Sequence, residues 1–262
     1  MNDGIYNSID ADTLVYLVAY KFRESDDTEG ALQELDNYVR TILNNTAATY
    51  YAGFLGGEKC FRYQVAKTKP YKGNRPPSPD WYKKWSGPMK AYLRDEWNFQ
   101  IVNGIEADDA VCIYQTWCRE NDKNSILSHG DKDLYQIEGN HYDIRKHIRT
   151  YIDKITGLRN LYMQTLTGDA SDAILGCKGV GKVGAVKIVG NLEEEMHMRI
   201  AVLDKFESVY GYDNKGLDMY NEMRTLCKLL THSETLPVVW NTYTPKSVIE
   251  EPEIDLTGLI WD

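Results

Sequence analysis

Asp169 and Asp172 stand three residues apart in the run Leu166-Thr-Gly-Asp-Ala-Ser-Asp-Ala-Ile-Leu-Gly-Cys-Lys-Gly-Val-Gly-Lys-Val-Gly-Ala185, which passes directly into a glycine-rich turn. On a helix this spacing puts both carboxylates on one face, where they can share a cation. The glycines at 179, 181 and 184 are accompanied by Lys178, Lys182 and Lys187, with no acid from 173 to 192. Such a backbone suits close approach to a phosphate. An acidic metal site beside a phosphate-gripping turn implies cleavage of nucleic acid.

Six further carboxylates fall at expected strand exits or helix starts: Asp10, Glu106, Asp108, Asp109, Asp131 and Asp133. Any one of the 39 acids in the chain has a simpler reading as solvated surface or a helix cap. The joint pattern is harder to dismiss. If the fold gathers these groups, each like-charged pair about 4 Å apart costs about 4 kcal/mol at an effective dielectric of 20, and bound cations would relieve that repulsion. Hard oxygen donors without a Cys or His pairing point to Mg²⁺ or Mn²⁺ rather than zinc. His129 adjoins Asp131 but reads first as a structural histidine. No Gly-x-Ser-x-Gly sequence, Cys/His constellation or Walker loop is present.

The elements that must position these acids alternate along the chain. Ile5 to Ile9 is expected as a first strand with Asp10 at its exit, followed by a helix from Leu14 to Phe22. Residues 28 to 45 carry Leu32, Leu35, Val39, Ile42 and Leu43 at helical spacing. Thr46 to Phe54 is expected as a second strand, turning at Gly56-Gly57. Thr68 to Pro88 holds five of the eight prolines, four of them (Pro70, Pro76, Pro77, Pro79) crowded among Tyr, Trp and Lys. It reads as an irregular insertion, with a helix from Pro88 to Asn98 behind it and Tyr71, Trp81, Tyr82 and Trp85 as stacking surfaces for a single-stranded 5′ end. Phe99 to Asn103 is a third expected strand, Ala107 to Cys118 a helix, and Ser125 to Ser128 a fourth strand whose exit carries Asp131 and Asp133. Strand-then-helix alternation with acids at strand exits predicts an open parallel α/β sheet with its site at the carboxyl ends of the strands. Beyond about residue 155 the pattern is helical.

The chain has 262 residues and a net charge of −9, which at first argues against a polyanionic partner. Residues 67 to 97, however, hold eight basic residues against three acids, a local balance of +5, and the rest of the chain is correspondingly more acidic. That acidity includes a C-terminal tail with Glu250, Glu251, Glu253, Asp255 and Asp262. Five cysteines without a CxxC pair fit a reducing cytosol. No apolar run has the length of a membrane span, and Asp3, Asp10 and Asp12 stand where a signal peptide would be basic.

Five stretches, in this order, resemble the 5′-nuclease superfamily of 5′–3′ exonucleases and flap endonucleases, particularly its compact phage-type members: Ser8-Ile-Asp-Ala-Asp12, Tyr71-Lys-Gly-Asn-Arg75, Gly104-Ile-Glu-Ala-Asp-Asp109, Ser128-His-Gly-Asp-Lys-Asp-Leu134, and Gly168-Asp-Ala-Ser-Asp172 running into Gly176 to Ala185. The resemblance implies a Rossmann-like (PIN-like) nuclease domain over residues 1–155 with an arch-like insertion at about 67–97. It further implies a helical DNA-binding region over 156–262, with a helix-hairpin-helix (helix-three-turn-helix) at about 169–192 and an acidic tail. Asp10, Glu106, Asp108 and Asp109 would form a first metal group and Asp131, Asp133, Asp169 and Asp172 a second, holding two Mg²⁺ or Mn²⁺ ions. Lys72 and Arg75 would face the scissile phosphate. Arg62, Tyr71, Lys178, Gly179, Gly181, Lys182 and Lys187 would contact DNA, with K⁺ at the hairpin.

The implied protein is a cytoplasmic monomer, in the bacterial host cytoplasm if phage-encoded, that acts on DNA with a 5′ end or 5′ flap, and on RNA–DNA hybrids as a further substrate, in replication or recombination. One departure stands out. The family places an Asp after the second strand, before its Phe-Arg, whereas this chain reads Phe54-Leu-Gly-Gly-Glu-Lys-Cys-Phe-Arg62. Either Glu58 compensates or the first ion is held more weakly. The alternatives to a nuclease of this kind are a non-catalytic DNA-binding member of the same fold and a PIN-like ribonuclease.

Overall fold

Residues 4–233 and 236–245 are described by a computed structural model; the acidic tail from Glu250 to Asp262 lies outside them. Two strands, β1 (Tyr6–Asp10) and β4 (Ser125–His129), are buried along nearly their whole length, as parallel strands covered on both faces must be. Between them in sequence come α1 (Ala11–Lys21), α2 (Thr28–Thr46), β2 (Tyr50–Gly56), α3 (Arg62–Val65), α4 (Asp80–Trp97), β3 (Gln100–Val102) and α5 (Ala107–Glu120). After β4 follow a 3-10 turn (Lys132–Gln136), β5 (Gly139–Asp143), β6 (Ile148–Ile152), α6 (Lys154–Thr167), α7 (Lys182–Val189), α8 (Glu195–Tyr210), α9 (Lys215–Cys227) and β7 (Asn241–Thr242).

The sheet runs β3-β2-β1-β4-β5-β6, with β7 paired to β2. All pairings are parallel except β5 with β6 and β2 with β7. From β1 the chain first travels to one side through β2 and β3, then crosses back to lay β4 on the other side of β1. The carboxyl ends of β1 and β4 therefore flank a topological switch point, where open α/β sheets bind ligands. The fold class is the α/β arrangement expected. No helix among the described residues is long and apolar enough to cross a membrane.

Two expectations are corrected. The stretch 68 to 88 is not irregular throughout, because α4 begins at Asp80 and carries Pro88 in its interior. A proline there costs about 3 kcal/mol. Against that cost, Trp85, Met89, Leu93 and Trp97 follow at intervals of four and all bury on one face, each contributing about 1.5–3 kcal/mol. Packing wins, and Trp85, at 2% exposure, is core rather than a stacking surface. The β5–β6 hairpin was not expected at all.

The helices α6 to α9 enclose a second core around Leu161, Leu166, Val202, Phe206 and Tyr220. Asp169 and Asp172 do not lie on a helix. They sit in a tight loop closed by reciprocal backbone hydrogen bonds, Asp169 N–H to Ile174 C=O at 2.9 Å and Ile174 N–H to Asp169 C=O at 2.8 Å. Gly168, at φ +69°, and Gly176, at φ +67°, pass so closely that a Cβ on Gly176 would lie 2.4 Å from the Gly168 nitrogen. Neither position has room for a side chain.

Candidate active site

Asp10 is the last residue of β1 and also caps α1, accepting hydrogen bonds from Asp12 N–H at 3.1 Å and the Thr13 hydroxyl at 2.6 Å. Asp131 follows β4 and caps the 3-10 turn through Asp133 N–H at 2.9 Å. Glu106 and Asp108 stand at the start of α5. All four line one cleft of about 1070 Å³ that Lys72 and Arg75 also line. Burial, then the charge of Asp10, then those of Asp131, Glu106 and Asp109 push the Asp108 carboxyl well above its usual range. Burial and the neighbouring charge of Asp12 raise Asp10 to about 7, with Asp131 adding to the rise.

Asp10, Asp108 and Asp131 are thus carboxylates in one another's field, and the strongest influences on Asp10 and Asp108 include no positive side chain. Hard oxygen donors carrying uncompensated charge fit a divalent cation such as Mg²⁺. Among the described residues no three His, Cys, Asp or Glu side chains already converge on a common ion position, so the fit rests on donor chemistry and charge.

The remaining acids are differently placed. Asp133, Asp169 and Asp172 do not line the cleft. Lys132 Nζ lies 3.1 Å from Asp133 and 3.2 Å from Asp169, and Gln164 donates to Asp133 at 2.7 Å. Burial raises the Asp133 carboxyl, helped by Asp131. At Asp169 burial works in the same direction, but hydrogen bonds from Ser171 and the Lys132 ammonium outweigh it and hold the carboxyl below its usual range. Asp172 pairs with Arg75.

Asp109 is fully buried, and its two oxygens are clasped by Arg62 at 2.6 and 2.8 Å. Leu230 N–H and Glu106 N–H also donate to it, at 2.9 and 3.1 Å. Asp109 is therefore occupied as an anchor and not open to an ion. The same geometry removes Arg62 from any DNA surface: it is 1% exposed and also donates to the carbonyls of Leu226 and Lys228 at 3.0 and 2.9 Å. Tyr71 is likewise buried, its phenol oxygen 2.8 Å from Glu106 and 2.9 Å from Asp172. Lys72, in a left-handed conformation at φ +56°, pairs with Glu106 through its ammonium, while its N–H donates to the Asp172 carbonyl at 2.8 Å.

At the hairpin the expected residues stay on the surface. Lys178, Gly179, Gly181, Lys182 and Lys187 are all exposed. Gly179 has φ +81°, Gly181 caps α7, and open space surrounds both. After β2, the departure noted in the sequence is crowded at one position: a Cβ on Gly57 would meet Asn103 Oδ1 at 2.4 Å and the Val102 carbonyl at 2.6 Å. No acid fits there without a shift. Glu58 lines the cleft from an exposed position.

Lys90, Lys132 and Arg145 line the cleft without having been picked out as site residues, and so does Asp12. The repeated Asp-x-Asp at 10/12 and 131/133 was a usable signal for Asp12. His129 is structural as read. Its Nε2 lies 3.0 Å from His141 Nδ1 in a buried pair.

A sequence model of the family described as 5′–3′ exonuclease, N-terminal resolvase-like domain, matches residues 8–163, more than half of the chain. The chain belongs to that family. The match spans the strand-end acids from Asp10 to Asp133 and stops before the loop and hairpin at 168–190. DNA polymerase I of Pseudomonas aeruginosa is 27% identical over 157 residues, which are 56% of this chain and 17% of the polymerase; the chain thus spans a small part of that relative's length. Among solved structures, the D15 protein of bacteriophage T5 co-crystallised with metal ions superposes with a TM-score of 0.63 at 14% identity, over 85% of this chain and 87% of that one. The bacteriophage T5 flap endonuclease in complex with DNA and metal ions superposes with a TM-score of 0.59 at 13% identity, over 85% of this chain and 99% of that one. At these identities the superpositions establish the shared fold.

Proposed function

We propose that the chain is a divalent-metal-dependent 5′ nuclease that hydrolyses phosphodiester bonds in DNA bearing a 5′ end or a 5′ flap. The observation that carries this reading is the meeting of Asp10, Asp108 and Asp131 from three element ends, mutually repelling and facing Lys72 and Arg75 across one cleft. Asp10, Glu106, Asp108 and Asp131 would hold Mg²⁺ or Mn²⁺, with Asp133, Asp169 and Asp172 behind them. Bound divalent ions would make a bound water more acidic than bulk water and would neutralise the leaving oxygen.

The chain's own groups do the rest. Lys72 and Arg75 set two fixed positive charges where a phosphate would enter, which stabilises the developing negative charge without solvent reorganisation. Both are held in reserve by carboxylates, Glu106 and Asp172, and Tyr71 ties those two together. Arg62 fixes the start of α5 against the end of α9 through Asp109 and Leu226. In this reading residues 1–155 form the nuclease domain, with the basic segment 67–97 as its arch. The hairpin lysines 178, 182 and 187 grip duplex backbone as point charges, K⁺ completing the turn.

Mg²⁺-dependent digestion of 5′-flap DNA, duplex DNA, an RNA–DNA hybrid and single-stranded RNA on one gel tests the proposal. Products released from the 5′ side of the flap or duplex support it. DNA binding with no cleavage of any substrate would show a non-catalytic member, and cleavage of RNA alone a ribonuclease.

A further inference from the structure

We propose that Asp12 is a further carboxylate of the metal-holding group, acting from the first turn of α1 over the end of β2. This rests on the metal-site reading above. The end of β2, Phe54-Leu55-Gly56-Gly57, offers the cleft no side-chain donor of its own, although Gly56 and Gly57 line it. Asp12 leans across from α1, and its Oδ2 accepts the Gly56 N–H at 2.9 Å.

The fit is mutually exclusive. A Cβ on Gly56 would lie 2.7 Å from that same oxygen, so the Asp12 carboxylate fills the volume that a side chain at 56 would need. Gly56 has no left-handed φ. Its glycine identity answers to space alone.

The other oxygen, Oδ1, faces a cation already. Lys90 Nζ from α4 lies 2.9 Å away, and the same ammonium donates to the Gly56 carbonyl at 2.8 Å. That corner of the cleft therefore stabilises positive charge with two oxygens, one of them a carboxylate two residues from Asp10. The Asp12 side chain is 38% exposed, so an ion can reach it from solvent. A purely structural role would end at the Gly56 hydrogen bond and the Lys90 pair.

Mn²⁺ binding to the intact chain, followed by titration calorimetry and by the free-ion paramagnetic resonance signal, separates the two. Asp12→Asn keeps an oxygen for the Gly56 N–H and removes the charge; thermal melting in EDTA confirms its fold. The dissociation constant of the tighter ion should rise on the order of tenfold or more in Asp12→Asn. The double variant Asp12→Ala/Gly56→Asp, which returns an acid to the vacated space from the strand side, should recover most of that loss. Unchanged Mn²⁺ affinity in Asp12→Asn, with normal binding by the wild type, would overturn the assignment. A wild-type chain that bound no Mn²⁺ would instead bring down the metal-site reading on which it stands.

Discussion

Two groups of carboxylates, one lining the cleft and one standing off it, differ in what they face. Asp10, Asp108 and Asp131 lie among carboxylates, Asp12 included, and burial together with that repulsion raises Asp10 and Asp108. Asp133, Asp169 and Asp172 meet Lys132, Gln164, Ser171, Arg75 and Tyr71. The first group lacks a cation that the second already has in the form of side chains. A carboxylate's charge alone thus says little about its role; what stands opposite it decides, and so does whether that partner is sealed in with it, as Arg62 is with Asp109, or open to solvent, as Lys90 is beside Asp12.

The largest expected effect tests that division directly. Asp108→Ala or Asp131→Ala should abolish Mg²⁺-dependent cleavage, by on the order of 10³-fold or more if a bound ion contributes several kcal/mol at the transition state. DNA binding measured in Ca²⁺ should remain near normal. Asp172→Asn should cost about 10–100-fold, through a loosened Arg75. Equal losses at Asp131 and Asp172 would break the comparison between the two groups.

A second effect, smaller by about one order, concerns the cations across the cleft. Lys72→Ala should slow single-turnover cleavage about 10²-fold at saturating enzyme, as expected for removal of one preorganised charge from the transition state. A variant that bound DNA less well but cut at the wild-type saturated rate would reduce Lys72 to a binding residue.

Much of this division was within reach of the sequence and some was not. The strand-exit positions of Asp10 and Asp131 follow from two short runs built around Ile9 and around Ile126-Leu127, each followed within a few residues by an acid, and these runs form β1 and β4. The β5–β6 hairpin escaped because Gly139–Asp143 and Ile148–Ile152 mix His, Tyr, Asp, Arg and Thr without apolar alternation; its inner positions bury polar groups such as His141 and Asp143 instead. Asp109 was placed with its neighbours because residue type cannot show that an arginine 47 positions away will clasp it. Arg62, for its part, looked like a surface cation, since arginines are rarely fully buried unless paired. Pro88 marked a helix boundary by its local chemistry, and a stripe of four buried side chains overrode it.

Stability without metal should separate the groups by sign. For Asp10 the folded-state value, about 7, lies above the unfolded one, 3.8. The folded state therefore binds the proton more tightly, and the ionised carboxyl penalises the fold increasingly from pH 4 to pH 7. In EDTA, Asp10→Asn should raise the melting temperature relative to wild type above pH 7, and the advantage should shrink toward pH 4. Asp169 is shifted downward, so its ionised form stabilises the fold above the usual carboxylate range and that contribution is lost as pH falls through its lowered folded-state value. Asp169→Asn should lower the melting temperature at pH 7. The two substitutions moving melting in the same direction at pH 7 would contradict the contrast between bare and paired acids. Because His129 and His141 are held neutral, at about 3 and 4, by burial, acid also weakens the fold independently, so the comparison has to be made as a difference from wild type at each pH.

The smallest effect belongs to neither group and marks the outer limit of the site. Lys182 is exposed at the first position of α7, beside the open turn at Gly179 and Gly181, and it makes no ion pair with any of the cleft acids. If it meets a phosphate distant from the one being cut, its charge contributes to binding through counterion release and not to the chemical step. Lys182→Ala should then reduce the slope of log K against log salt by about one unit and weaken binding about equally across sequences. The single-turnover rate at saturating enzyme should stay at the wild-type value. A saturated rate that fell in parallel with Lys72→Ala would mean that the hairpin positions the scissile phosphate itself, and the separation of grip from chemistry would have to be redrawn at the loop joining α6 to α7.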